Sequence, residues 1–520
     1  MWSVCRQLPA SARGGLVVVT RAARVAVSVD RRDLGPIVLH LAFGHFVHFG
    51  SRLVPDALVP WDGSERATEE PNQPIYVQAE VPTRTKPGIY RARLRVADGR
   101  RIVPVRLSVR VFPVTLPLPG TAGSLPTSFH LSPETYVDRV RRLYGETSPP
   151  ALQAANDALY GFLSSYRLSP ASWGFGEPRT LAGYGPSAQW WKNSLANMIR
   201  EMAAGPFSAL RIPISSNRTA SHSYIGSVNP FRPDMWCPYL ESVHGFWQSR
   251  GWLGPGVIPY LYAYDEPGLE GQRLVARQAA AAHRCFPGAR VLMTGNPSPD
   301  GRNSFLWKGR GGDDVDIWAI LSRRYYGTFT SPTRRDRTRR NLRTIDAVRS
   351  RGKHVWAYTY AGPGTPGLLA TEPLSDPRVF LLWTALESVR GVLYGEGTTS
   401  YNGIASPLES VRSGGEFVLL CPGRTAPIPS ARLEQIRDGI EDWELLRLVR
   451  RARGAAAVRE ILGGAGLFSA GRAGVRLACT VGCDLRGPEA FAWPRWSRDA
   501  STPARIERAR LAALRLASGP

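Results

Sequence analysis

The chemistry of this chain is concentrated where an aromatic run stops on two acids, in Ile258-Pro-Tyr-Leu-Tyr-Ala-Tyr-Asp-Glu-Pro267. A buried strand gains nothing from two carboxylates at its end unless something beyond that end uses them. In a parallel α/β barrel the carboxyl end of a strand is where reactions take place. Asp265 and Glu266 are therefore the candidate general acid/base and its electrostatic partner. Taken alone, the same triplet also reads as a turn or helix start, because acids favour a first helical turn. The elements around it decide between the two.

Residues 1–118 read as a β-sandwich domain. Leu16–Val19, Ile37–Ala42, Ile75–Val81, Gly88–Val96 and Ile102–Val111 are short strands, several alternating apolar and polar residues at period two. The proline-rich segment Phe112–Gly120 is a stiff linker. From residue 121 to 429 strands alternate with helices, the pattern of a (β/α)8 TIM-type barrel. The expected strands are Ser124–His130, Arg167–Trp173, Ser208–Ile214, Val257–Asp265, Arg290–Thr294, Val315–Leu321, Val355–Tyr360 and Gly391–Gly395. On this count the two acids end the fourth strand. Residues 430–520 form a C-terminal helical segment packing on the barrel, led by an amphipathic helix in Ser430–Arg453 with Leu433, Ile436, Ile440, Trp443 and Leu446 on one face.

The 520 residues give ample core, with 43% hydrophobic and 10% aromatic residues, and the charge is +24. Nearly all the cations are Arg; the lysines are Lys86, Lys192, Lys308 and Lys353. The Arg is spread along the chain among Ala, Gly and Pro, which looks like coding bias and argues against nucleic acid as a partner. The densest run, Arg334–Arg343, suits a solvated helix face. No apolar run nears ~18 residues, so no membrane span is expected. The stretch Met1–Asp30 has only Leu16–Val19 as an apolar patch, broken by Arg21 and Arg24, which is a poor export signal and leaves the compartment open. The six cysteines are too few and too scattered for a disulfide framework, and Cys479 and Cys483 have no companion ligands for zinc. The histidines show no HExxH spacing. Neither a metal nor a cofactor is implied.

Three blocks together resemble the glycoside hydrolase family 123 type, including its relative the domain-of-unknown-function family 4091. They are Ile75–Pro82 with Lys86-Pro-Gly-Ile-Tyr90; Tyr262-Ala-Tyr-Asp-Glu-Pro267; and Ser430-Ala-Arg-Leu-Glu-Gln-Ile-Arg-Asp-Gly-Ile-Glu-Asp-Trp-Glu-Leu-Leu446, preceded by Cys421-Pro-Gly423. The last is the longest and most specific. The resemblance covers roughly residues 70 to 455 and implies a retaining exo-hexosaminidase, similar to β-N-acetylgalactosaminidases, acting on a glycan or glycoconjugate. Carried onto this chain, Glu266 protonates the glycosidic oxygen and later activates water. Asp265 orients the 2-acetamido group whose carbonyl oxygen attacks the anomeric carbon. The intermediate is an oxazoline, an exception to the two-carboxylate scheme. Consecutive strand residues point to opposite faces, so the two acids share a substrate only if the strand turns at Pro267.

Rings near other strand ends are candidate sugar platforms: Trp173, Trp318, Trp356, Tyr358 and Tyr360. Tyr325 and Tyr326, after the sixth strand, are candidates to cap the pocket, and each of these rings reads equally as barrel packing. Tyr262 and Tyr264 read as core layers. In Gly391-Val-Leu-Tyr-Gly-Glu-Gly397, Gly395 stands where related sequences usually have Trp, which removes a wall of the sugar pocket. Glu396 beside it supplies a rival mechanism, double displacement with Glu266 as acid/base and Glu396 as nucleophile, requiring carboxyl groups ~5–5.5 Å apart. Two readings stand outside enzymology: a barrel that binds glycans without hydrolysing them, and a basic surface that holds the protein on an acidic polymer such as teichoic acid, nucleic acid or an anionic glycan, with binding that weakens steeply with salt.

Overall fold

The computed structural model of the chain describes residues 15–20, 24–49, 52–64, 66–67, 69, 72–97, 101–130, 133–171, 173, 189–213, 233–297, 314–326, 328–329, 334–359, 365–394, 410–411, 418–468, 475–477, 490–494 and 498–518. An antiparallel sandwich comes first. Its strands are β1 Gly15–Thr20, β2 Arg24–Asp33, β3 Val38–Phe49, β4 Arg52–Pro60, β5 Arg66–Ala67, β6 Asn72–Glu80, β7 Gly88–Ala97 and β8 Ile102–Val111. One sheet runs β1-β6-β3 with β4 on β3, and the other β5-β2-β7-β8. Inward residues at period two, among them Val25, Leu39, Ile75, Val77, Leu94 and Val96, fill the space between them. The strand Ser410–Val411 pairs parallel with β3, so the barrel segment returns to the sandwich.

The barrel strands are β9 Thr127–Phe129, β10 Ala209–Arg211, β11 Ile258–Asp265, β12 Arg290–Thr294, β13 Ile317–Leu321, β14 His354–Tyr358 and β15 Val392–Tyr394. They form one parallel sheet in the order β10-β11-β12-β13-β14-β15-β9. The sequence reading places a strand at Arg167–Trp173; there the structure has a single parallel bridge, Phe129 to Pro170. Ser169 Oγ accepts from the amides of Ser208 and Ala209 at 3.0 and 3.1 Å, joining that segment to the start of β10. A side chain thus does what a ladder does elsewhere, and β11 holds the fourth position.

Two apolar layers follow from strand alternation. Tyr260, Leu292, Ile317, Ala319, Trp356 and Tyr358 fill the barrel interior. Leu261, Val291, Trp318, Ile320 and Val355 face outward beneath the helices. The described helices are α1 Pro133–Tyr144, α2 Pro149–Ser165, α3 Gln189–Ala203, α4 Pro233–Ser249, α5 Leu269–Cys285, α6 Arg334–Ser350, α7 Asp376–Leu386, α8 Ala431–Gly464 and α9 Thr502–Ala517. Among the described residues the scattered cysteines nonetheless yield one disulfide: Cys237 of α4 and Cys285 of α5 come within a Cα separation of 5.2 Å and are bonded. They stand 48 positions apart in the chain, and only the packing of α4 on α5 brings them together.

The C-terminal helix α8 starts on Ser430, whose hydroxyl accepts from the Leu433 amide. It runs past the expected end at Arg453 and kinks at Gly454, where φ is 82°. It packs on α7 so closely that a Cβ on Gly439 would stand 2.6 Å from Leu381 Cδ1. Buried ions link it to its surroundings. Arg432 pairs with Asp56 of β4 at 2.8 Å, and Arg378 of α7 reaches Asp442 at 2.6 Å. No helix among the described residues is long and apolar enough to cross a membrane.

Candidate active site

Two local departures from ideal strand geometry bring the acids together. The β11–β12 ladder runs Tyr262 to Leu292 and then Tyr264 to Met293, a one-residue shift that marks a β-bulge. Ile258, Tyr260 and Tyr262 belong to the inner layer, while both Ala263 and Tyr264 belong to the outer one. Two successive outward residues reset the alternation, and Asp265 falls on the inner side. Glu266 then adopts φ 46°, the left-handed region that L residues other than Gly rarely enter. The chain turns there, one residue before Pro267, so that Glu266 faces the same mouth as Asp265.

Hydroxyl groups hold this arrangement. Tyr262 and Thr294 both donate to Asp265 Oδ1, at 3.0 and 2.7 Å. The Thr294 oxygen also accepts from the Glu266 amide at 2.8 Å. One buried hydroxyl therefore fixes the carboxylate of one acid and the backbone of the next. Glu266 Oε1 accepts from Tyr358 at 2.8 Å and from Arg324 Nη1 at 3.2 Å. Both bonds fall on Oε1. Arg324 ends the 3-10 turn Ser322–Arg324 after β13, and its carbonyl is pinned by the side-chain amides of Asn296 and Asn341 at 2.9 and 3.2 Å. The Arg324 and Glu266 side chains are 39% and 36% exposed, so a ligand reaches both. On the other side, Arg211 at the end of β10 is buried, donates to the Ala171 carbonyl at 2.7 Å and lies 5.6 Å from the Tyr262 ring centre. Burial, reinforced by the negative charge of Glu266, pushes the Tyr358 phenol well above its ordinary range. It therefore stays a donor.

The other rings singled out in the sequence stand apart from the acids. Trp173 is buried against Tyr160, its ring stacked at 6.1 Å and its indole N–H on the Arg211 carbonyl. Trp318 faces outward, because alternation along β13 sends it under the helices. Trp356 points inward but lies fully buried against Tyr260, their ring centres 5.9 Å apart. Tyr325 and Tyr326 do not cap a pocket: both are fully buried, packed against Trp383, with their hydroxyls on Glu387 at the end of α7. Tyr358, by contrast, reaches Glu266. Tyr360 and Glu396 lie outside the described residues. Tyr262 is both core and site, since its ring packs in the inner layer while its hydroxyl binds Asp265. The sequence reading missed Thr294 and Arg324. Thr294 carried one signal, its place as last residue of a strand adjoining the one with the acids.

Among the described residues no group of three His, Cys, Asp or Glu is placed to hold a metal ion. The cleft between the sandwich and the C-terminal helices, lined by Gln78, Phe112, Tyr166, Arg437 and Leu511, contains neither acid.

No family model and no curated protein sequence matches the chain. Solved structures do. A xylanase from Cellvibrio japonicus, 9% identical with 82% of this chain and 91% of that one covered, has a TM-score of 0.34. An endo-β-1,4-mannanase from Thermotoga petrophila, 11% identical with coverages of 62% and 77%, has 0.30. A family 123 glycoside hydrolase from Clostridium perfringens is 14% identical, with 98% of this chain and 92% of that one covered and a TM-score of 0.62. This likeness spans sandwich, barrel and C-terminal helices alike, and the chain is similar in fold to a family 123 glycoside hydrolase.

Proposed function

We propose that this protein is a glycoside hydrolase that removes a terminal 2-acetamido sugar with retention, through substrate assistance. The observation that carries the reading is the pairing of consecutive acids at one mouth, Asp265 tied through Oδ1 and Glu266 through Oε1. The fold adds weight, since the Clostridium perfringens protein of similar fold hydrolyses glycolipid glycans.

In the first step Glu266 gives a proton from Oε2 to the glycosidic oxygen, since its two protein bonds occupy Oε1. The acetamido carbonyl oxygen bonds to the anomeric carbon as the aglycone leaves as an alcohol. Asp265 accepts the acetamido N–H and steadies the positive charge of the developing oxazoline ring. In the second step Glu266, now a carboxylate, takes a proton from water as that water attacks the anomeric carbon and the ring reopens. Tyr358 and Arg324 position Glu266 throughout, and Thr294 keeps the two acids in register. General acid/base assistance of this kind supplies about 10²–10⁴-fold.

The test is turnover of nitrophenyl β-glycosides with and without the 2-acetamido group by wild type, Glu266→Gln and Asp265→Asn. Activity confined to acetamido sugars and lost in both variants supports the reading. Cleavage of plain glycosides with Asp265→Asn still active refutes it and moves the nucleophile to Glu396. No turnover of any glycoside would leave a glycan-binding barrel.

A further inference from the structure

The outward face of the second sandwich sheet is a bed of arginines. Along β7 the even positions Ala92, Leu94 and Val96 are buried in the sandwich core, which leaves Arg91, Arg93 and Arg95 on the solvent side. Along β8 the outward set is Ile102, Pro104, Arg106, Ser108 and Arg110, all exposed. Register sets Arg93 directly opposite Arg106 and Arg95 opposite Pro104. Like charges facing each other across an antiparallel pair destabilise it. The three arginines of β7 recur about every 6.6 Å, with β8 only about 4.8 Å away. Two acids lie on the same face, in β2: Asp30 opposite Arg93 and Asp33 opposite Arg91. Asp30 is already taken by Arg32 at 2.9 Å. Arg110 stands over the Phe112 ring, and Arg91, Arg93 and Arg106 have no ion-pair partner among the described residues.

We propose that this face binds a carboxylate-bearing polysaccharide and holds the catalytic barrel on it. A flat row of guanidiniums fits a row of carboxylates, since each planar fork takes two oxygens of one group. The face has no aromatic ring on its outward positions in β2, β7 and β8, whereas single-stranded nucleic acid is held by base stacking on rings as well as by charge. The face belongs to a four-stranded sheet, broader than the helix or two-stranded ribbon that a duplex major groove admits. The active-site mouth is consistent with an anionic ligand: the Arg324 guanidinium uses one N–H on the Glu266 carboxylate and has no other partner among the described residues. That the polymer is a glycan rests on the glycosidase reading, but binding is measured without turnover, so either can fail alone.

The experiment is binding of the full chain to immobilised polygalacturonate over a series of salt concentrations. Neutral dextran, dextran sulfate, duplex DNA and phosphatidylserine vesicles are run in parallel. The variants are Arg93→Ser/Arg106→Ser, and Arg93→Lys/Arg106→Lys as a folding control that keeps the charge. The expected result is binding to polygalacturonate and none to dextran, weakened at least tenfold in the Ser variant. The salt slope should fall by about two in that variant, with turnover of a small nitrophenyl glycoside unchanged. Equal binding by wild type and the Ser variant would overturn the proposal. So would tighter binding of dextran sulfate, DNA or vesicles than of polygalacturonate at matched charge.

Discussion

Replacing Thr294 by Val tests whether one hydroxyl holds the two acids in register. Valine keeps the β-branched shape on β12 and removes only the oxygen. Two bonds go with it: the 2.7 Å donation to Asp265 Oδ1 and the 2.8 Å acceptance from the Glu266 amide. A hydrogen bond to a charged group contributes about 1.5–3 kcal/mol. If that energy serves to aim Asp265 at the reacting sugar, its loss lowers kcat by about 10- to 150-fold, at 1.36 kcal/mol per factor of ten. The orphaned Glu266 amide adds about 1–3 kcal/mol of lost stability, and does so at a residue already held at φ 46°. The assay pairs kcat and KM on a nitrophenyl 2-acetamido glycoside with urea unfolding. Thr294→Ser retains the hydroxyl and should recover most of kcat while still losing a methyl from the buried site. A Val variant within threefold of wild-type kcat, or a Ser variant as slow as Val, would refute the reasoning.

Tyr358→Phe removes a donor to Glu266 Oε1 that burial keeps protonated. The expected loss is about tenfold in kcat, uniform from pH 5 to pH 9, because the phenol does not titrate in that range; a change confined to the alkaline end would count against it. Asp56→Ala strands the buried Arg432 guanidinium and should cost about 3–5 kcal/mol in urea unfolding, whereas Asp56→Ala with Arg432→Met should cost less. Burial, opposed by Arg498 and helped by Glu372, raises Asp376 to about 7. A raised carboxyl contributes stability that is fully present below the ordinary value of 3.8 and is lost as pH climbs through about 7, so wild type should weaken by about 4 kcal/mol over that whole window, roughly 2–3 kcal/mol of it between pH 5 and pH 8. Asp376→Asn should flatten that slope, and an unchanged slope would exclude the group. Opening the Cys237–Cys285 bridge with reductant, or by Cys237→Ser/Cys285→Ser, should lower stability by about 2–4 kcal/mol, as expected for a 48-residue separation.

The sequence by itself determined the order of layers. Period-two alternation in Gly88–Ala97 and Ile102–Val111 is a property of single strands, so it marks a sandwich before any partner is known. The alternation of apolar runs with helical ones made the barrel legible in the same way, and with it the acids' place at the end of the fourth strand. The helix from Ser430 was equally plain, because its cap and its apolar face are local. What a strand pattern does not carry is a bulge. Strict alternation puts Asp265 on the outer side with Leu261 and Ala263, and it was pairing with β12 that forced both Ala263 and Tyr264 outward. Nor does local pattern name partners. Thr294, Arg324 and Tyr358 lie 28, 58 and 92 residues from Glu266, and only closure of the barrel brings them to it. The tryptophans show the converse: a ring near a strand end looks the same in sequence whether it lines a mouth or fills a core. Which one it does was decided by the side of the barrel wall on which it fell, outward for Trp318 and inward against Tyr260 for Trp356. Local chemistry chose the elements; the positions of neighbouring strands chose which side chains meet.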